Sequence, residues 1–394
     1  MVNSFMVVVF WLSLAAIAHT YFVFPVVLAM LASLNRKDAI KQHLILSDDS
    51  LPHVTIVMSA FNEERNIRDR IENLASCTYP SGKMTVLVGS DGSTDSTNAI
   101  LEELSGKYHW LTVKVFPENR GKTPVLNSLV SLITTPITIL TDADTVFSSN
   151  AIVSIVQPFS QPTVGCVAGV RKCRTIGTIN ATTVQESSYL DIDNKIRIAE
   201  GILGCVIGAH GSLYAIRTEL LEKIPEDRAY TDDFYLSMIP IERGFTVVQA
   251  NDAISYAETA TSTLRDFRRK VRYSSTAFAT CSRFASVMWN APLSAAYCFF
   301  SHRVSRWYLP FFLLIALICN VFLFSGGHVY QILLWVQCLF YGLAVIGVFS
   351  ERAVRASPVF SLSAYFVYSN AALFVGFFRW LFGNSSNKWV PSRS

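Results

Sequence analysis

A chain of 394 residues has room for one large domain plus several membrane segments, or for two soluble domains. Hydrophobic residues make up 51% and charged residues only 16%, against about 25% charged in an ordinary soluble protein, which favours the membrane arrangement. A net charge of +4 with dispersed Lys and Arg lacks the basic stripe that a phosphate backbone requires and excludes nucleic acid as a partner.

The chain opens on an uncharged apolar run, residues 5–34, with no Asp, Glu, Lys or Arg before Arg36. Such a run crosses roughly 30 Å of hydrocarbon with tilt, so residues 1–35 are predicted to form a transmembrane helix. A cleaved leader would need a basic start and a shorter apolar core. Arg36, Lys37 and Lys41 follow at once, so the positive-inside rule places the next domain in the cytosol, at an inner or plasma membrane.

Residues 50–285 read as an alternating β/α domain. Short β-branched runs at 54–58, 85–88, 112–115 and 137–140 each end in small or polar residues, with helical patterns at 63–75 and 96–104 between them. That alternation predicts a mainly parallel sheet covered by helices, with ligands beyond the C-terminal strand ends.

Chemistry-bearing clusters sit at those ends. Ser59-Ala60-Phe61-Asn62-Glu63-Glu64 follows the first strand and, taken alone, suits a helix N-terminus with acidic first-turn residues. Gly89-Ser90-Asp91-Gly92-Ser93-Thr94-Asp95 follows the second. It is a turn and N-cap, or a carboxylate placed to accept a hydrogen bond from a nucleotide base. Thr141-Asp142-Ala143-Asp144 ends a buried strand, and two like charges so close call for a cation or water between them. Mg²⁺ or Mn²⁺ prefers such hard oxygens and completes its shell with water and phosphate.

Further along, Tyr230-Thr231-Asp232-Asp233-Phe234 opens a helix, as an acidic cap or as a carboxylate base for an acceptor hydroxyl. Lys122, after Asn119-Arg120-Gly121, could approach uridine or phosphate, and Gly208-Ala209-His210-Gly211 could line an acceptor channel. Arg265, Arg268, Arg269, Lys270 and Arg272, followed by Tyr273, form a basic cluster suited to a membrane surface or a diphosphate.

Residues 286–307 mix aromatics with His302, Arg303 and Arg306 and read as an interfacial segment. Residues 308–394 hold two clear spans, 308–324 and 330–349, joined at Gly326-Gly327. A third apolar stretch, 359–382, spans or lies in the interface beyond a cytosolic loop with Arg352 and Arg355. The eight cysteines include no Cys-x-x-Cys, so reduced, buried thiols in a reducing compartment are expected.

Taken in order, these motifs resemble those of the membrane-bound family-2 glycosyltransferases, which include hyaluronan, chitin-oligosaccharide, poly-N-acetylglucosamine and cellulose synthases. The resemblance runs from Val54 to Tyr273. It implies a GT-A, Rossmann-like α/β fold and inverting transfer from a UDP-sugar with Mg²⁺ or Mn²⁺. By motif, Ser59, Ala60 and Phe61 would line the donor's uridine pocket, Glu63 would belong to the donor site and Asp91 would read the base. Lys122 would meet the donor, Asp142 and Asp144 the metal and diphosphate, and Arg269 and Arg272 the leaving group. Asp233, with Asp232 beside it, would be the base; Tyr273, Gly208 and His210 would meet the acceptor.

The polymerising members carry Gln-x-x-Arg-Trp where this chain has Arg269-Lys270-Val271-Arg272-Tyr273, and related lipid glucosyltransferases tolerate Arg at the first position. The leading expectation is therefore synthesis of an exopolysaccharide or oligosaccharide. The alternative is a single transfer to a lipid acceptor such as a polyprenyl phosphate or a ceramide. A protein that only binds nucleotide sugars would need no base beside the Asp-x-Asp pair.

Overall fold

The computed structural model describes residues 2–40, 50–174, 181–258 and 263–383. Lys41 lies outside them, as do the side chains of Arg36, Lys37, Arg265 and Arg355.

Eight strands form one sheet: β1 (Val54–Ala60), β2 (Met84–Asp91), β3 (Leu111–Phe116), β4 (Ile137–Leu140), β5 (Val146–Phe147), β6 (Val164–Arg174), β7 (Tyr214–Arg217) and β8 (Thr246–Glu258). Their order is β3-β2-β1-β4-β7-β6-β8-β5. The first four are parallel, with Val57 opposite both Leu87 and Leu140. Both faces of β1 are buried: Ile56 and Met58 join one core with the helices Ile67–Ala75, Thr97–Lys107 and Ala151–Val156. Val57 packs on the other face with Val125 and Leu129 of the helix Lys122–Val130. Burial on both sides explains why these strands read as continuous apolar runs.

The second half of the sheet is mixed. β7 runs antiparallel to β4 and β6, β5 antiparallel to β8, and β6 parallel to β8. A third core fills the space under this half, joining Tyr214, Phe234, Met238, Phe278 and Phe299. It reaches Phe24 and Leu28 of the N-terminal helix, so the sheet domain and the first apolar helix share one packed interior.

Three helices are long and apolar enough to cross a membrane: Ser4–Asn35, His328–Phe349 and Pro358–Leu381. The pair Leu293–Ser305 and Leu309–Phe322 meets at a 59° bend. Large apolar side chains on these helices are bare, among them Phe22, Leu34, Trp335 and Phe349, as a lipid-facing surface requires. Pro358–Leu381 lies along the basic helix Thr263–Arg283, where Ser274 Oγ donates to Ala372 O at 3.1 Å. A side chain at Gly376 would collide with Ser274, so the two helices approach through glycine.

Candidate active site

The parallel register brings Ser59, Ala60, Asp91 and Asp142 to one edge of the sheet. Ser59 pairs with Gly89 and Ala60 with Ser90, and Thr141 N continues the ladder by donating to Val57 O at 3.2 Å. Loop chemistry then locks the first two motifs together. Asn62, at φ 53°, accepts from Thr94 N at 2.9 Å, while Glu64 N donates to Asp95 Oδ2 at 3.2 Å. Glu63 is buried, accepts from Asn66 Nδ2 at 2.6 Å and donates its N–H to Thr97 Oγ1 at 2.8 Å. Phe61 is half-buried between these loops.

Asp91 is buried and accepts from Arg120 N at 2.7 Å and Gly121 N at 2.8 Å. It thereby fixes the turn that launches the helix carrying Lys122; Gly121 sits at φ 91°, a conformation that suits glycine. Lys122 Nζ lies 2.7 Å from Asp142 Oδ1 and 2.8 Å from Asp232 Oδ2. Burial works against the ammonium, but these two carboxylates prevail and raise its pKa. Burial also works against ionised Asp142, yet Lys122 holds its pKa below the usual value.

Asp233 is different. Burial first, then the neighbouring Asp232 charge, pushes its pKa up to about 6, with Lys122 pulling the other way. A Cβ at Gly211 would lie 3.0 Å from Asp233 Oδ2 and 3.3 Å from Asp142 Oδ2. Both carboxylates therefore approach the same point, and a Cβ there would crowd them. The edge thus joins a lysine that bridges two carboxylates, and holds Asp142 ionised, to a further acid whose pKa burial drives up. Titratable groups driven apart in this way are characteristic of functional sites.

Asp144 has further neighbours. It lines a cavity of about 200 Å³ together with Arg65, Asp69, Arg70, Arg174 and Tyr256. Among the described residues no group of three or more His, Cys, Asp or Glu is placed to hold a metal ion. Arg272 is half-buried, and the Asp232 and Asp142 charges reach it. Arg269 is turned away, 2.7 Å from both Glu186 and Asp266. Tyr273 is 42% exposed. Gly208 is buried at φ 77°, where a Cβ would strike Phe234.

The family model for glycosyltransferase-like family 2 matches residues 52–276, more than half of the chain. The chain belongs to glycosyltransferase family 2. This family-2 protein is 30% identical over 192 residues to a beta-monoglucosyldiacylglycerol synthase of Nostoc sp., an overlap of 48% of the chain and 41% of that relative. It is 26% identical over 175 residues to a poly-beta-1,6-N-acetyl-D-glucosamine synthase of Staphylococcus aureus, 44% of the chain and 40% of the relative. The match thus spans about two fifths of the length of these relatives. A solved mannosyltransferase of Pyrobaculum calidifontis, in complex with GDP-Man and Mn²⁺, superposes with a TM-score of 0.72 at 20% identity. It covers 95% of the chain and 99% of its own. The fold is GT-A: a mixed, Rossmann-like α/β sheet with one N-terminal and two or three C-terminal apolar helices that could span a membrane.

Sequence reasoning missed a buried ionic cluster beneath the site of this family-2 protein. Asp193, Arg197 and Glu200 share one face of the helix Ala181–Ile202. Asp193 accepts from Arg197 Nε at 2.7 Å and lies 3.3 Å from both His210 and His302. His302 also sits 2.7 Å from Glu200. Burial and the Arg197 charge hold the His210 imidazole neutral, with its pKa lowered to about 3. The signal was available: Asp193, Arg197 and Glu200 recur at the i, i+4, i+7 spacing of a buried helical stripe. Their partners, His302 and Arg306, stand about a hundred residues away.

Proposed function

We propose that this protein is a membrane-held inverting glycosyltransferase that moves the sugar of a UDP-sugar onto a growing glycan, with Asp233 as the base. The observation that carries the reading is the meeting of Asp233 and Asp142 at Gly211 beside the Lys122-bridged pair. In the reaction, Asp233 takes the proton of an acceptor hydroxyl as its oxygen bonds to the anomeric carbon. The bond from that carbon to the phosphate oxygen breaks on the opposite face, and the nucleoside diphosphate leaves. Arg272 supports the departing charge, and Asp91, Ser59, Ala60 and Phe61 hold the nucleoside end.

A divalent cation, Mg²⁺ or Mn²⁺, fits the donor set when it is bound jointly with the donor. The Asp142–Asp232 corner already draws a cation in the form of Lys122. With few carboxylates assembled, the diphosphate and water would supply most of the shell. Asp142 and Asp144 would hold the ion, which neutralises diphosphate charge. The basic flank after the first helix supports a cytosolic orientation at the inner or plasma membrane.

A second reading, single transfer to a lipid, has its own support. Arg269 stands at the first position of the last motif, and the helix Pro358–Leu381 packs on that basic helix, with Tyr368 OH donating to Asp266 Oδ2 at 2.6 Å. The name of the Nostoc relative also speaks of a lipid product. The test is release of free nucleotide by the full-length protein from a panel of UDP- and GDP-sugars, with and without EDTA, followed by mass analysis. A ladder of chain lengths supports the polymer, one sugar per extractable lipid supports the second reading, and no release from any donor overturns both.

A further inference from the structure

The segment 286–307, interfacial by composition, is built into the catalytic side of the molecule. Its helical turn Phe299–Ser305 buries Ser301, His302, Arg303 and Ser305. Arg303 donates through Nε and Nη2 to Ile207 O at 3.0 and 2.5 Å. Its guanidinium also lies 5.3 Å over the ring of Phe234, the residue next to Asp233. Trp307 meets that ring edge-on at 5.6 Å. Glu200 accepts the N–H of Ile207 at 3.2 Å, and Arg197 donates to Gly208 O, so the start of the loop 207–211 is held from both sides.

The far end of that loop is Gly211, which separates Asp233 from Asp142. In between, Ala209 N donates to Ser237 Oγ at 2.9 Å, and Ser237 Oγ donates to Asp233 O at 2.6 Å. The chain of contacts also runs outward. Thr20 Oγ1 and Ser305 Oγ lie 2.6 Å apart, and His19 Nε2 and Ser301 Oγ 3.0 Å apart. His19 and Thr20 belong to a π-helical turn in the first membrane helix, an irregularity common at functional places.

We propose that Arg303 is a positioning residue for sugar transfer: from the membrane-side segment it sets the loop 207–211 and Phe234, and through them the placement of Asp233 against the donor. The proposal rests on the assignment of Asp233 as base. It separates two functions in space, since the contacts of Arg303 are Ile207, Gly208, Phe234 and Trp307 rather than the strand ends that carry Ser59 and Asp91. Donor binding belongs to the strand edge, and the alignment of the base depends on the membrane-side segment. Arg303 does this as a fork, with two nitrogens on one carbonyl and its plane over an aromatic ring, which lysine cannot reproduce.

The informative variant is therefore Arg303→Lys in the full-length protein, which keeps the charge and loses the fork. A displacement of about 1 Å at the reacting groups costs on the order of a hundredfold. The expected result is a kcat lowered about 10- to 100-fold with the donor KM and UDP affinity within about twofold of wild type. Hydrogen exchange should quicken in peptides covering 205–213 and 232–236 and stay unchanged over β1 and β2. Phe234→Leu combined with Arg303→Lys should cost no more than the larger single change. Unchanged kcat, a loss confined to donor KM, or unchanged exchange at 205–213 overturns the proposal. If wild type releases no nucleotide from any donor, the enzyme assignment falls, and the exchange measurement still decides whether Arg303 holds the loop.

Discussion

The two halves of the sheet hold their functional residues by different means. On the parallel side, each motif is fixed within a few residues of its own strand: Asp91 binds the next loop's backbone, and the 62–66 and 92–97 turns are stitched to one another. On the mixed side, the proposed base and the loop 207–211 are held by charged side chains of the adjoining helix Ala181–Ile202 and of the membrane-side segment. The proposed donor end therefore rests on hydrogen bonds between neighbouring strand-end turns. Base alignment rests on a buried charge network, in which losing one partner strands another.

Substitutions on the two sides should separate. The largest effect is expected for Asp233→Asn, which removes the proton acceptor. Transfer should fall by about 10²–10⁴ while UDP binding survives, as calorimetry with UDP and a nucleotide-release assay would report. Normal turnover would remove Asp233 from its role. Next comes Lys122→Met, which leaves Asp142 and Asp232 without their shared ammonium. Donor KM should rise, on the order of tenfold, because the corner repels a diphosphate once its cation is lost.

The pH dependence sharpens the contrast. The base must be ionised, and its pKa is pushed up to about 6 by burial and by Asp232. The value of kcat/KM should therefore be flat above neutrality and fall as pH drops through 6. Because Lys122 pulls that pKa down, the acid limb should move to higher pH in Lys122→Met. A limb that stays in place would sever the link between the two residues. The smallest effect belongs to Arg68→Ala. The Arg68–Glu103 pair bridges two helices on the parallel side in full solvent, with side chains 40% and 62% exposed, and such pairs contribute little. Neither Tm nor turnover should change measurably.

Much of the parallel half was legible beforehand. The runs at 54–58, 85–88, 112–115 and 137–140 fall inside or on the observed strands β1 to β4. Their polar ends lie on one edge because parallel strands must share direction. The mixed half was not legible, since β6, β7 and β8 pair by contacts whose partners are far apart in sequence. The same holds for Arg269, whose motif position suggested the donor. Glu186, from a different helix, draws it away. Asp144, two residues beyond Asp142, lines a cavity with Arg65, Arg70 and Arg174, neighbours that the motif by itself does not reveal.

By itself the sequence determined the apolar helices, the alternation of strand and helix, and the order of acidic motifs at strand ends. These are properties of neighbouring residues, written in hydropathy and turn chemistry. Only the tertiary structure decided which acids share a pocket, which stays ionised and which is driven toward neutrality. Those outcomes depend on burial and on charges brought in by Lys122, Asp232, Arg197 and His302, whose distances no local pattern encodes.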